Sequence, residues 1–360
     1  MAIHRDISRN CSEVQIICRA RISEPFISLK TTALNIVLIL VLFLLCLSIG
    51  AVEIPVSAVV DILCGNGGDY SDAWRFIVME SRLPATVTAL LSGMALAISG
   101  LLLQTVFQNP LAGPSVFGIN SGASLAVSLL MLTTGGTFSA LSANFGGQLA
   151  VILAATAGAA MVTLLIIGIS SIVRSNVMLL IIGMMIGYLS SSAISILSYF
   201  STQEGLQAFT IWGLGTFSNT TMSQMPVLLL CILLPLVGVF LLVKPLNALL
   251  LGENYAANLG YEVRKVRNIT LILSSILAAV VTAFCGPISF LGLAIPHLAR
   301  LVVRTDNHIR LVPATILLGG NVALLCHFIT ILPSNSTVLP INAITPLIGA
   351  PIILWIILRK

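Results

Sequence analysis

The stretch FCGPISFLGLAIPH, residues 284–297, places a Gly-Pro pair in the middle of a long apolar segment. Proline lacks a backbone donor and clashes with the preceding turn, so an α-helix that reaches Gly286 and Pro287 is expected to end there. A second stretch, AGPSVFGIN at residues 112–120, repeats the pattern Gly-Pro-x-x-Phe. Two similar helix breaks inside apolar sequence indicate a shared structural role.

The composition around these breaks is that of an integral membrane protein. Of the 360 residues, 58% are hydrophobic and 8% are charged, and the mean hydropathy is +1.08. A soluble domain carries about a quarter charged residues, and a membrane-spanning helix needs about 20 mostly apolar residues. We predict an all-α protein with ten spans, near 33–50, 83–107, 115–133, 149–172, 177–199, 226–243, 269–285, 288–303, 312–331 and 341–358.

The basic residues predict the orientation of the chain, because Lys and Arg accumulate in cytoplasmic segments. With the N-terminus inside, all but two of the 17 basic residues fall on the cytoplasmic side, and only Arg75 and Arg82 lie outside. We therefore expect both termini in the cytoplasm, a cytoplasmic segment at residues 1–30 and a single transmembrane domain at residues 31–360. The basic residues form no patch interleaved with aromatic residues, so we expect no nucleic-acid partner.

The pairs Gly113-Pro114 and Gly286-Pro287 indicate an internal repeat. Each pair follows one span and precedes the next, the first on the cytoplasmic side and the second on the outer side. Spans 2–5 and 7–10 would then be two units related by inversion across the membrane plane, as in many transporters. The four residues would mark hinge-like helix breaks, whose freed backbone groups need protein or water partners. The alternative is two unrelated Gly-Pro turns.

The spans offer little for an ion-driven or catalytic mechanism. They contain no Asp, Glu, Lys or Arg away from their ends, although ion-driven carriers usually need such groups inside the membrane. His297 and His327 are titratable, but a packing role is the simpler interpretation of each. The seven cysteines lack metal-binding spacing and no G-x-x-x-x-G-K-[ST] phosphate loop is present. We predict no metal site, no cofactor and no catalytic residue in this chain, so that its energy comes from a partner.

The best candidate for a partner surface is the loop KPLNALLLGENYAANLGYEVRKVRN, residues 244–268, on the predicted cytoplasmic side. Gly252 can open a short helix with one face of small residues and a single acid, which would let another protein approach closely. The members of that face follow the spacing i, i+3, i+4 and i+7: Glu253, Ala256, Ala257 and Gly260. A solvated amphipathic connector is the alternative.

Four stretches together resemble one known family. They are SRLPATVTALLSGMALAISGLLLQTVFQNPLAGPSVFGINSGASLA at 81–126, GENYAANLG at 252–260, GPISFLGLAIPHLARL at 286–301 and TPLIGAPIILWIIL at 345–358. Their order and sequence are similar to those of the FecCD family, the iron-chelate and cobalamin permeases of bacterial ABC importers.

The resemblance extends from about residue 30 to residue 360, and it implies a fold and a set of partners. The fold is that of a type II ABC importer in the bacterial inner membrane, with an inverted repeat. The expected partners are a second permease subunit forming a dimer, two cytoplasmic ABC ATPases that hold ATP and Mg²⁺, a periplasmic or lipid-anchored binding protein, and the lipid bilayer.

The resemblance also implies roles for individual residues. The family's coupling element, which contacts the ATPase, falls on Leu251, Gly252, Glu253, Ala256, Leu259 and Gly260. Family permeases usually carry Arg-x-Pro-Arg at the outer start of span two, where it docks the binding protein. This chain keeps Arg82 and Pro84 but has Ala85 in the last position, which leaves Arg82 and the nearby Arg75 as the docking pair. Contact with headgroups or solvent is an equal alternative for Arg75.

Span five and the segment after it are candidates for the transport pathway. Residues 201–222 resemble the family's short outer helix that helps to gate the pathway. Span five contains Gly183 and Gly187, followed by a run of serines. Close helix packing explains small residues, but a hydroxyl stripe that includes Ser191 and Ser195 would also let a bulky solute slide past.

The function favoured by these features is ATP-driven import of an iron chelate delivered by a binding protein. A ferric siderophore is the first candidate, with haem or cobalamin as alternatives. Two other classes compete with this interpretation. An ion-coupled secondary transporter would need an ionisable group in the spans, and an intramembrane enzyme would need a nucleophile facing a base.

Overall fold

The structure, a computed structural model, describes residues 29–65, 70–133, 145–170, 172–173, 176–333 and 338–358. The predicted cytoplasmic segment at residues 1–30 lies outside these ranges except for its last two residues. Three basic residues used to predict the orientation, Arg174, Arg359 and Lys360, also lie outside them. Within the described ranges the regular structure is helical throughout, which confirms the predicted fold class.

Fourteen α-helices are present in the described residues. They are α1 (Leu29–Ser48), α2 (Val56–Leu63), α3 (Asp72–Phe76), α4 (Leu83–Val106), α5 (Ile119–Thr133), α6 (Phe145–Ser170), α7 (Asn176–Tyr199), α8 (Gln203–Leu214), α9 (Met225–Leu250), α10 (Glu253–Asn258), α11 (Val263–Cys285), α12 (Leu291–Val303), α13 (His308–Ile331) and α14 (Ile341–Leu358). A π-helical segment, Ile77–Arg82, joins α3 to α4, and a 3₁₀ turn, Met222–Gln224, precedes α9.

The ten predicted spans correspond to α1, α4 to α7, α9 and α11 to α14. Seven of these helices are long and apolar enough to cross a membrane, and α5, α12 and α14 are shorter apolar helices. Two boundaries differ clearly from the prediction, since α9 continues to Leu250 and α11 already begins at Val263. Charged residues mark the membrane surface but do not break a helix, so both helices extend beyond the apolar segment.

The helices α4 and α11 form the centre of the bundle. In their most apolar windows 83% and 72% of the residues are buried, whereas the values for α1 and α7 are 22% and 17%. Helix α4 packs against α12 and α13, and α11 packs against α5 and α6. Each central helix therefore contacts the second and third spans of the other unit. This exchange of partners is the arrangement that an inverted repeat of spans 2–5 and 7–10 predicts.

Three helix crossings in this bundle depend on paired glycines. They are Gly93 with Gly319 (α4 and α13), Gly100 with Gly292 (α4 and α12) and Gly122 with Gly158 (α5 and α6). The crossing at Gly100 is the tightest of the three, because a β-carbon there would lie 1.6 Å from the carbonyl oxygen of Gly292. Lipid chains are as apolar as the side chains, so the hydrophobic effect does not drive membrane helices together. Close backbone packing of this kind is therefore a main source of attraction between them.

The two Gly-Pro elements meet inside the bundle. Helices α5 and α12 have 15 and 13 residues, or about 20 Å each, which is less than the roughly 30 Å of hydrocarbon. Irregular chain at residues 107–118 and 286–290 precedes these two helices. The side-chain amide of Asn120, in the first turn of α5, donates to the carbonyl of Ile288 at 3.3 Å, so the start of α5 contacts the second irregular segment. That the two breaks lie on opposite sides of the membrane stays a prediction.

Candidate functional site

The short helix α10 lies at the end of the bundle that carries residues 244–268, which we call the basic end. Gly252 and Gly260 flank it with φ angles of 112° and 86°, a conformation that residues with a side chain rarely adopt. After the helix, the amide of Tyr261 donates to Ala256 O and that of Gly260 donates to Ala257 O, at 3.1 and 2.9 Å. This Schellman arrangement closes the helix, so the two glycines limit α10 to six residues.

Exposed apolar side chains project from α10 and the residues beside it. Leu251, Tyr255 and Leu259 are 66%, 48% and 56% exposed, and Glu253 is also exposed. We call Leu251, Glu253, Tyr255 and Leu259 the coupling surface. A group of exposed apolar side chains around one acid, at the end of a bundle, indicates a site of contact with another protein.

The predicted face of small residues differs from this surface. Ala256 is fully buried in the main apolar core, and Gly260 lies beyond the end of the helix. A helix of six residues has to bury one side to be stable, and alanine allows the closest approach to the bundle, so it faces inward. Tyr255 was not predicted, although its four-residue distance from both Leu251 and Leu259 was visible in the sequence.

A hydrogen-bonded network ties four helices together near the coupling surface. His308 of α13 lies between Thr105 of α4 and Asn247 of α9, with its Nε2 2.8 Å from the threonine hydroxyl and its Nδ1 3.0 Å from the amide oxygen. On the other side, Arg300 of α12 donates to Gln104 of α4 at 2.5 Å. Gln104, Thr105 and His308 are buried and Asn247 and Arg300 are partly buried, and all are hydrogen-bonded, so the network stiffens the basic end of the bundle.

The other two histidines of the described residues have packing contacts. His297 lies with its Nε2 2.8 Å from Pro110 O, in the irregular segment after α4. His327 is 4% exposed and its ring meets Phe217 edge to face at 5.8 Å. Both arrangements agree with the packing interpretation. No group of three or more His, Cys, Asp or Glu that could hold a metal occurs among the described residues.

The second helix break is completed by one amide side chain from the last span. Gly286 adopts a φ of 80° and ends α11, and a β-carbon there would lie 2.5 Å from Trp212 O. Asn342 of α14 donates to Pro287 O at 2.6 Å and accepts from the amide of Ser289 at 3.2 Å. The freed backbone groups thus find partners inside the protein, as a break within the membrane requires. Asn342 was not predicted from the sequence.

The first break has a different form. Helix α4 ends at Val106, and Gly113 and Pro114 lie within the irregular segment that follows instead of at the helix end. Pro114 packs beside Gly292, where a β-carbon would lie 3.1 Å from the proline ring. The hinge role of both Gly-Pro pairs stays a prediction.

The two faces of α7 have different surroundings. Gly183 and Gly187 face the start of α5, where a β-carbon on Gly183 would lie 2.9 Å from the backbone of Phe117. Ser191 and Ser195 are exposed, and the hydroxyl of Ser195 donates to Ser191 O at 2.9 Å. Close packing therefore explains the glycines, while the serines have no packing role within the described part of this subunit.

The two arginines predicted to dock a binding protein differ in their surroundings. The guanidinium of Arg82 donates to Leu47 O and Ser48 O at 2.7 and 2.9 Å, and also to Val52 O. It thus binds carbonyls of the last turn of α1 and of the loop that follows. Arg75 of α3 is exposed. The docking role of both stays a prediction, but most of the hydrogen-bonding capacity of Arg82 is already used inside the subunit.

Ten apolar helices in the described part of the chain contain no Asp or Glu and pack as an inverted repeat predicts, which defines a multi-pass membrane transport protein. The chain belongs to the FecCD transport family, whose sequence profile matches residues 38–359. It is accordingly a membrane permease of that family.

Comparisons with individual proteins agree with this family. The chain is 30% identical over 307 residues to an ABC transporter permease protein of Methanocaldococcus jannaschii, covering 82% of this chain and 85% of the relative. It is 32% identical over 294 residues to the vitamin B12 import system permease protein BtuC of Salmonella paratyphi A, covering 81% and 87%. A solved structure described as an inward-facing metal-chelate type ABC transporter shares 30% identity and a TM-score of 0.78, covering 92% of this chain and 99% of that one.

Proposed function

We propose that this protein is the permease subunit of an ATP-driven ABC importer for an iron chelate. The observation that carries the proposal is the coupling surface, an exposed apolar group around Glu253 on a rigidly held short helix at the basic end. An ATPase that binds this surface would move α10, and the helices attached to it, as it binds and hydrolyses ATP. ATP and Mg²⁺ would be held by two such cytoplasmic ATPases, and this chain would bind no cofactor.

The absence of acids from the spans supports a mechanical coupling. Helices α1, α4 to α7, α9 and α11 to α14 contain no Asp or Glu. These helices therefore offer no carboxylate that a driving proton or cation could bind within the bilayer.

The exposed side of α7 is the proposed contact with a second copy of the permease. Tyr188 and Leu189 are 68% and 72% exposed and lie next to the exposed Ser191 and Ser195. Hydroxyl groups are common between packed membrane helices and uncommon on a surface that faces lipid alone. We infer a homodimer in which the chelate passes between the two copies of α7. A cysteine at position 195 should then form a disulfide between two copies.

The substrate would reach this pathway from a periplasmic or lipid-anchored binding protein, at the end opposite to the basic end. Arg75 is the exposed cation available there for docking, and the orientation that puts both termini in the cytoplasm of the inner membrane follows from the basic residues. A ferric siderophore is the first candidate for the substrate. Haem and cobalamin follow, the latter because the Salmonella relatives are named as vitamin B12 permeases.

The test is uptake into proteoliposomes that contain the permease, its ATPase and its binding protein. Radiolabelled ferric siderophore, haem and cobalamin are supplied separately, with ATP or a non-hydrolysable analogue inside. We expect accumulation of one of the three with ATP only. Accumulation by the permease alone under a proton or sodium gradient would refute the proposal.

A further inference from the structure

Arg267 lies at the junction of three helices at the basic end. It belongs to the first turns of α11 and is only 9% exposed. Its Nη2 donates to Ser170 O, the last residue of α6, at 3.3 Å. Its Nη1 lies 3.9 Å from the Oε1 of Glu253, the first residue of α10. One side chain thus contacts both the coupling surface and the end of α6.

The position of this cation is energetically demanding. A buried guanidinium loses its hydration and is stable only when charges and acceptors around it compensate. The carbonyl at the end of α6 contributes the negative end of a helix dipole, and Glu253 contributes a full negative charge at the limit of ion-pair distance. The Nε of Arg267 is buried and has no hydrogen-bond partner among the described residues. The arginine is therefore incompletely satisfied in this conformation.

An arginine fits this junction better than other residues would. Its planar fork can hold two acceptors at a fixed separation, whereas a lysine presents a single point charge. A hydrophobic residue of similar length would fill the space more favourably if packing were the only requirement. The combination of a buried fork, two acceptors on different helices and an unused donor indicates a link between those helices.

We propose that Arg267 is a positioning residue that transmits displacement of α10 to the end of α6, and through α6 to α7. The proposal rests on the proposed function, because it requires an ATPase that moves α10. When the partner draws Glu253 toward Arg267 or away from it, the strength of the ion pair changes and the guanidinium shifts. Because the same guanidinium donates to Ser170 O, the end of α6 then moves with it. The helices α6 and α7 are consecutive along the chain, and α7 carries the exposed serines of the proposed pathway.

The alternative is that Arg267 only stabilises the fold. In that case its replacement would lower the amount of folded complex, but each folded complex would still transport the same amount of substrate per ATP hydrolysed. The two roles are therefore separated by the ratio of substrate transported to ATP hydrolysed, which does not depend on how many complexes are folded.

The experiment compares Arg267→Gln with Arg304→Gln in the reconstituted complex of permease, ATPase and binding protein. Arg304 is an exposed arginine at the same end of the bundle, outside the 244–268 loop, so its replacement is a matched control. Uptake and ATP hydrolysis are measured in the same proteoliposomes, and ATPase association is measured by co-purification. We expect Arg267→Gln to retain the ATPase but to transport about fivefold less substrate per ATP, at the lower end of typical coupling effects. Arg304→Gln should keep the wild-type ratio.

Two further variants keep the test decisive if Arg267→Gln does not fold. Arg267→Lys retains the charge but not the fork, and Glu253→Gln removes the charge of the partner while leaving the arginine in place. Both should lower the ratio, and the double variant Glu253→Gln with Arg267→Lys should lower it no further than the stronger single variant. An unchanged ratio in these variants, alongside normal ATP-dependent uptake by the wild type, would overturn the inference. Absence of uptake by the wild type would instead refute the proposed function.

Discussion

The crossing of α4 and α12 gives a prediction with a defined magnitude. In Gly100→Ala, the new β-carbon would lie 1.6 Å from Gly292 O and 2.5 Å from the carbonyl carbon of the same residue. Contacts of this type need about 3 Å or more, so the two helices would have to separate by about 1.5 Å. The obstacle is backbone, which cannot rotate away as a side chain can. Overpacking of a core typically costs 1–3 kcal/mol, and we expect about 3 kcal/mol here, or roughly a 150-fold fall in the folded-to-unfolded ratio.

The matched control is Gly168→Ala in α6. Gly168 is exposed, lies inside a helix and has no heavy atom within 4 Å of an added β-carbon. Alanine has the higher helix propensity, so this variant should be neutral or more stable by up to about 1 kcal/mol. An intermediate effect is expected for Gly292→Ala, where the nearest atom, Leu96 O, lies at 2.9 Å.

The assay is reversible unfolding of the purified permease in mixed micelles, followed by tryptophan fluorescence. The expected order of stability is Gly168→Ala, then Gly292→Ala, then Gly100→Ala. A Gly100→Ala protein that unfolds at the same midpoint as Gly168→Ala would refute the claim that this crossing depends on a backbone contact. Uptake should fall along with stability in Gly100→Ala.

Three further predictions test the coupling surface, the arginines and the orientation. Leu259→Asp should reduce co-purification of the ATPase about tenfold, as loss of an apolar contact at an interface does. Val60→Asp, at an exposed apolar site in α2, should not. Arg82→Gln should lower the stability of the permease by about 1–3 kcal/mol because it removes three hydrogen bonds to backbone carbonyls. Arg75→Gln should leave stability unchanged and weaken docking of the binding protein, and equal thermal midpoints for the two variants would contradict this distinction. Cys64 is exposed and should react with an impermeant maleimide added outside intact spheroplasts. Labelling that needs permeabilised membranes would show that the orientation is inverted, and Cys64→Ser is the control.

The span pattern and the position of the coupling loop could be predicted from the sequence because both depend on local properties. A run of apolar residues is sufficient to form a membrane helix whatever surrounds it, and the loop at 244–268 is polar over a continuous stretch. The end of α11 was also predictable, since Gly286-Pro287 breaks its own helix, whereas α4 already ends at Val106, before Gly113-Pro114. The hydrogen bond between Asn120 and Ile288 was not predictable, because it joins residues far apart in the chain.

Contacts between residues far apart in the chain explain what the sequence could not predict. The docking role of Arg82 stays a prediction, but its hydrogen bonds to the end of α1 were not predictable, because nothing near Arg82 in the sequence indicates them. Ala256 was assigned to an exposed face because a spacing of three or four residues defines a face without telling which way it points. The orientation of α10 is determined by the core beneath it.

The paired glycines of α4 also constrain how the protein is made. The partners of Gly93 and Gly100 lie in α13 and α12, roughly 200 residues further along the chain, and at typical synthesis rates of about 5–20 residues per second the ribosome needs about 10–40 s to reach them. During this interval α4 has left the ribosome while the surfaces that will cover it do not yet exist. Its small residues pack poorly against lipid chains. We therefore expect the insertion machinery or an associated chaperone to bind this helix until the second half of the protein is inserted.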